Sequence, residues 1–160
     1  MSKTANLIGQ VAVGAVVGAI AGVAMAGWAM AASLLNGDGF LMPVQLIAAT
    51  AYGTNALTLT PQVLVVGLVL HMVTSVVLGA MLGPFLGSVR LLWQGQALAV
   101  AGGIGVWAVF TFAILPQSNV VMYEATQKTP VNWLIGHVIF GLVLGFAPSI
   151  SAWFYHKKTV

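Results

Sequence analysis

Four long apolar runs, separated by short stretches where glycine, proline and polar residues collect, set the rhythm of this 160-residue chain. The runs are Leu7 to Leu34, Pro61 to Pro84, Gln96 to Leu115 and Val131 to Tyr155. Each reaches or exceeds the ~20 residues a helix needs to cross a hydrocarbon core of ~30 Å. The pattern predicts an all-α integral membrane protein, a single transmembrane domain with four spanning helices. The first run follows Lys3 and contains Ala24-Met25-Ala26, which has the look of a signal-peptidase site. It is too long for the apolar part of a signal peptide, so it is read as the first span.

Between the first two spans the chain passes Leu41-Met42-Pro43 and continues as a mostly apolar segment over about 43–52. Proline is favoured in the first turn of a helix, so this segment predicts a short interfacial helix. Packing across the mouth of the bundle is preferred over lining a cavity, because irregular backbone at a membrane edge is tolerated wherever protein covers it. The loop after the third span opens in a similar way, at Ile114-Leu115-Pro116.

Composition agrees with this reading. Hydrophobic residues make up 60% of the chain, charged residues 4%, and the mean hydropathy is +1.04. Lys3, Arg90, Lys157 and Lys158 fall on one side of the four spans, and Lys128 falls on the other with Asp38 and Glu124. By the positive-inside rule both termini lie in the cytoplasm of a bacterial-type inner membrane. Trp93, Trp133, Trp153 and Tyr155 flank the spans, where amphipathic rings prefer the interface. Basic groups at span ends orient a membrane protein, so no nucleic-acid partner is expected. With no cysteine, thiolate metal sites and thiol nucleophiles are excluded.

The candidate chemistry is confined to a few positions. His71 and His137 lie inside apolar runs, where an ionisable side chain is expensive and marks a functional site by default. At ~1.5 Å of rise per residue, His71 lies ~15 Å past Pro61 and His137 ~10 Å past Pro130, both in the non-cytoplasmic half. Trp28 and Trp107 fall in that half as well. The segments from His71 to Gly79 and from His137 to Gly145 align at the histidine and at the closing Val-Leu-Gly. That correspondence suggests two helical hairpins related by a parallel repeat about the membrane normal.

Ser75 and Gly79 follow His71 by one and two turns on the same face, and Gly141 and Gly145 follow His137 in the same way. Small residues beside an imidazole leave a groove for a flat macrocycle. The sharp expectation is therefore cofactor binding: haem b, or a (bacterio)chlorophyll-type chlorin, with His71 and His137 as axial metal ligands and Ser75, Gly79, Gly141, Gly145, Trp28 and Trp107 around it. Phe140 and Phe146 are candidate packing partners for such a ring.

The plainer reading of the same residues is helix packing. Gly14, Gly18 and Gly22, and Gly79, Gly83 and Gly87, have the four-residue spacing by which membrane helices approach, and a neutral histidine hydrogen-bonds across such contacts. Proton or ion handling is the third alternative. Two imidazoles alone leave a zinc or copper ion short of ligands. No carboxylate lies within a span, no nucleophile has a base and an orienting group, and no phosphate-binding loop is present, so no enzymatic activity is expected. The functional expectation is a non-catalytic subunit of a larger membrane complex, respiratory or photosynthetic, in contact with lipid and other membrane subunits. The alternative is a small oligomeric transporter or channel for protons or a small solute, although the polar set within the spans is thin for a transport path.

Overall fold

The computed structural model describes residues 3–87, 89 and 91–150, with side chains from residue 7 onward. Arg90, Trp153, Tyr155, His156, Lys157 and Lys158, the Lys3 side chain and the end of the fourth expected span lie outside this description. The described residues form helices α1 (Lys3–Leu35), α2 (Met42–Tyr52), α3 (Pro61–Leu86), α4 (Leu92–Val109), α5 (Leu115–Ser118), α6 (Val120–Lys128) and α7 (Pro130–Leu144), and no strand. A 3-10 turn, Gly53–Leu57, follows α2, and a π-helical turn, Phe110–Ile114, joins α4 to α5.

Four stretches are long and apolar enough to cross a membrane: Leu7–Leu35, Pro61–Leu86, Leu92–Ser118 and Pro130–Ile150. They coincide with the four expected spans to within a turn at most ends. Four apolar helices of this length fit a multi-pass membrane protein. Local chemistry explains the starts. Thr60 caps α3 by accepting a hydrogen bond from Val63 N–H at 3.3 Å, and prolines open α3 and α7 where their missing N–H costs nothing. The third span starts four residues before Gln96 and continues past Leu115 to Ser118. Pro116 does not end it. Its ring would crowd the carbonyl one turn back, and the chain widens by a π turn in which Leu115 N–H bonds Phe110 C=O, five residues away.

The helices pack as an open ring. α1 lies along α3 on one side and along α7 on the other, α4 packs on α7, and α3 and α4 meet only slightly. A seam is left between α3 and α4. Beneath it the core gathers Val17, Ala21, Leu86, Ala99, Phe140, Leu144 and Ala147.

Two ladders of small residues hold the helix pairs together. Gly14, Gly18 and Gly22 on α1 meet Ser75, Gly79 and Gly83 on α3, as the four-residue spacing implies. A second ladder sets Ala99 and Gly103 of α4 against the backbone of His137 and Gly141 of α7. Lipid offers no hydrophobic drive between helices, so close backbone approach through small residues supplies the packing energy.

At the other end α2 does more than lie at an interface. Pro43 through Leu46, Ala48 and Ala49 are buried, and Val44 C=O abuts Gly67 of α3. The Gln45 amide donates to Ala56 C=O at 3.1 Å and Leu57 C=O at 2.9 Å, tying α2 to the turn that follows. Asn119 reaches over from the start of α6, donating to Leu46 C=O at 2.8 Å and to Thr50 Oγ1 at 2.9 Å. The predicted short helix is therefore a lid packed on the bundle mouth.

Candidate functional site

α3 carries His71 toward α1, where the imidazole reaches the Gly22 backbone, and the absence of a side chain at Gly22 makes room for Ser75 beside it. His71 Nε2 is 2.9 Å from Gly22 C=O. A carbonyl only accepts, so Nε2 carries the proton and Nδ1 keeps the lone pair in the neutral ring. Ser75, one turn on, donates its hydroxyl to His71 C=O at 2.8 Å. On α7, His137 Nδ1 donates to Trp133 C=O of its own helix at 2.8 Å. Nε2 of His137 is then the lone-pair nitrogen, on the edge of the ring turned away from that bond.

The two histidines line one cavity of about 230 Å³. Its wall comes from Met25 and Ala26 of α1, Val44 and Ile47 of α2, Thr74 and Ser75 of α3, Trp107 of α4, Phe110 and Thr111 of the π turn, and Trp133 and Phe140 of α7. It lies along the seam where α3 and α4 barely touch. The π turn aims Phe110, Thr111 and Ile114 into the wall, in keeping with the use of such turns at functional positions. Trp107 packs edge-on to Phe112, with centroids 5.6 Å apart and planes at 80°, and its Nε1–H is buried without a partner. Below Phe140, the helix contacts and the buried Leu144 close the floor.

A second cavity, of about 280 Å³, sits above it toward the lid. Asn36, Asp38, Glu124, Lys128 and Asn132 line it, so the two acids of the chain share the wall of one cavity at the mouth. Met25, Ala29, Pro43 and Trp133 belong to the walls of both cavities. A single ring of side chains thus separates a polar vestibule from an apolar inner chamber.

Of the expected site residues, His71, His137, Ser75 and Trp107 come together at the inner chamber. Gly79, Gly141 and Gly145 do not. A Cβ on Gly79 would lie 2.6 Å from Gly18 Cα, one on Gly141 2.6 Å from Ala99 C=O, and one on Gly145 2.6 Å from Gln96 Oε1. The grooves expected to hold a macrocycle are filled by neighbouring helices. Trp28 turns to α7 instead, where its Nε1–H donates to Asn132 C=O at 2.9 Å. Phe146 faces outward, whereas Phe140 is 3% exposed.

Trp133, expected at the interface, lines both chambers, and Asn119 and Gln45 carry the lid. Sequence reasoning gave these three no such roles. A polar residue between the end of one helix and the start of the next, as at Asn119, is the signal that points to a cap.

The two imidazoles are not equally placed for axial ligation of a haem. His71 Nε2 is spent on Gly22 C=O, whereas His137, held through Nδ1, keeps Nε2. The chamber itself is the size of one substituted ring, since a dry apolar cavity of about 150 Å³ accepts benzene. Haemin added to the apoprotein should therefore give no low-spin bis-imidazole spectrum. Visible absorption with and without dithionite checks this, and sharp reduced α and β bands that vanish in His71→Ala would overturn it. No family model, curated protein or solved structure matches the chain.

Proposed function

We propose that the chain is a non-catalytic, multi-pass membrane protein that holds a small, ring-sized, largely apolar ligand in the inner chamber. The supporting observation is the convergence of His71, His137, Trp107 and Trp133 on one cavity whose remaining wall is apolar. Ligand sites are typically concave and apolar, with a few polar groups that fix orientation. By the positive-inside pattern the chamber opens in the non-cytoplasmic half of a bacterial-type inner membrane, with both termini in the cytoplasm. The seam between α3 and α4 gives lipid-dissolved molecules a lateral approach, and the vestibule gives aqueous ones an axial approach.

Ala26 lines the inner chamber and not the vestibule. Ala26→Phe should fill the chamber and abolish saturable binding of propylbenzene, read by quenching of tryptophan fluorescence in detergent micelles. Unchanged binding in a folded Ala26→Phe protein would defeat the assignment.

A second reading, a subunit of a larger respiratory or photosynthetic assembly, draws on one specific observation. α3 and α4 expose Leu68, Val69, Val73, Ile104 and Val109 on their surfaces. Mass analysis of gently extracted membranes tests it, through a stoichiometric co-purifying chain. A transport path through one copy has less support, because the glycine ladders and the Phe140–Leu144 core close the bundle below the chamber.

A further inference from the structure

We infer that the inner chamber selects ring compounds bearing a hydroxyl donor, a phenol or the hydroquinone form of a quinone. The inference rests on the ring-sized-ligand reading above. It comes from an account of which polar groups on the wall are already committed. Ser75, Ser118 and Thr126 spend their hydroxyl protons on the carbonyls of His71, Ile114 and Tyr123, while the Thr74 and Thr111 hydroxyls on the same wall stay open to donate or accept. Thr50 Oγ1 accepts from Asn119. Each imidazole spends its only proton on a backbone carbonyl, Gly22 C=O for His71 and Trp133 C=O for His137.

What each imidazole has left is a lone pair, Nδ1 on His71 and Nε2 on His137. An imidazole nitrogen in an apolar wall is a strong acceptor and costs free energy while it lacks a donor. The backbone bonds hold both tautomers in place, so neither ring can offer a second N–H without taking up a proton in an apolar site. A hydrocarbon ring, an ether or the oxidised quinone brings no donor to these nitrogens. A phenolic O–H does, and its oxygen still accepts, which suits the Thr74 and Thr111 hydroxyls on the same wall. Water is a poorer occupant, because a mostly apolar cavity tends to stay dry.

Volume and access fit the same class. About 230 Å³ takes one substituted ring. The seam between α3 and α4 gives a hydrocarbon substituent a way out toward lipid, so a tail need not fit inside.

The test compares 4-propylphenol, its methyl ether and propylbenzene on the full chain in phosphatidylcholine nanodiscs. Titrations are followed by tryptophan fluorescence and by NMR of [15N]histidine-labelled protein. We expect saturable binding of all three, with the phenol about tenfold tighter than its ether, the gain from one hydrogen bond to an otherwise unpaired acceptor. The lone-pair nitrogen of His137 should shift with the phenol alone. His137→Leu should bring the phenol down to the level of the ether.

Equal affinities with an unmoved His137 resonance would overturn the donor selectivity and leave the ring-sized site standing. Failure of all three compounds to saturate would overturn the site as well. The comparison of phenol with ether is made on the unaltered protein, so it stands even if His137→Leu does not fold.

Discussion

Gly18→Ala and Gly141→Ala should each cost the protein about 3 kcal/mol, at the upper end of what overpacking a filled interface costs. A Cβ at Gly18 would sit 2.6 Å from Ser75 C=O and 2.7 Å from Gly79 Cα, and one at Gly141 2.7 Å from Val100 Cα. These neighbours are backbone atoms, which cannot turn aside as a side chain does. Relief requires α1 to move away from α3, or α4 from α7, and contact is then lost along the whole ladder.

The two sites lie on different helix pairs and share no partner, so their costs should add. The double variant would lose about 6 kcal/mol, comparable to the whole stability of a small protein. It should fail to fold. Gly27→Ala and Gly105→Ala are the controls, because nothing lies within 4 Å of a Cβ at either position. There the better helix propensity of alanine should leave stability unchanged or raised by up to about 1 kcal/mol. Unfolding by denaturing detergent, followed by circular dichroism, measures all four single changes. If Gly18→Ala matches Gly27→Ala, the helix pairing described for α1 and α3 is wrong.

Asn119→Leu should release the lid while leaving the bundle intact. The Asn119 side chain is 3% exposed and makes three hydrogen bonds. Its amide donates to Leu46 C=O and Thr50 Oγ1, and its oxygen accepts from Met122 N–H at 2.9 Å, capping α6. Leucine has nearly the same size but no polar atoms, so these groups lose their partner inside the protein. The expected cost is about 3 kcal/mol, summed from a lost cap and a lost buried amide.

The loss should be local. Hydrogen exchange at Met42–Leu57 and Val120–Lys128 is expected to accelerate, while the α1 and α3 amides stay protected. Asn119→Asp separates the two roles: a carboxylate still caps α6 but has no N–H to give to Leu46. In that variant α6 should stay protected and α2 should not. Uniform acceleration across all helices would show that the lid is no independent unit. Because α2 supplies Val44 and Ile47 to the inner chamber, loosening it should also weaken ligand binding.

Much of this was legible along the chain, because it depends on local sums. Hydropathy over ~20 residues located all four spans, since hydrocarbon penalises polar backbone and side chains residue by residue. Pro61 stood at the start of the second expected span, where α3 begins. The Gly14-Gly18-Gly22 stripe announced a close helix contact, and the depth estimate put both histidines at one level. The acids Asp38 and Glu124 were correctly placed together at the mouth.

Only the tertiary structure decided which faces meet. Inside a membrane the lipid-facing and buried sides of a helix are equally apolar, so sequence periodicity carries little record of orientation. Small residues at Gly79 and Gly141 therefore read equally well as a groove left open and as a groove filled by another helix, and the structure filled them. The same ambiguity hid the partner of Trp28, the inward turn of Trp133 and the ladder formed by Ala99 and Gly103. The pairing of His71 with Gly22 C=O and of His137 with Trp133 C=O depends on the approach of two backbones to within a hydrogen bond. Those bonds set which nitrogen of each ring keeps its lone pair, and hence what the chamber accepts.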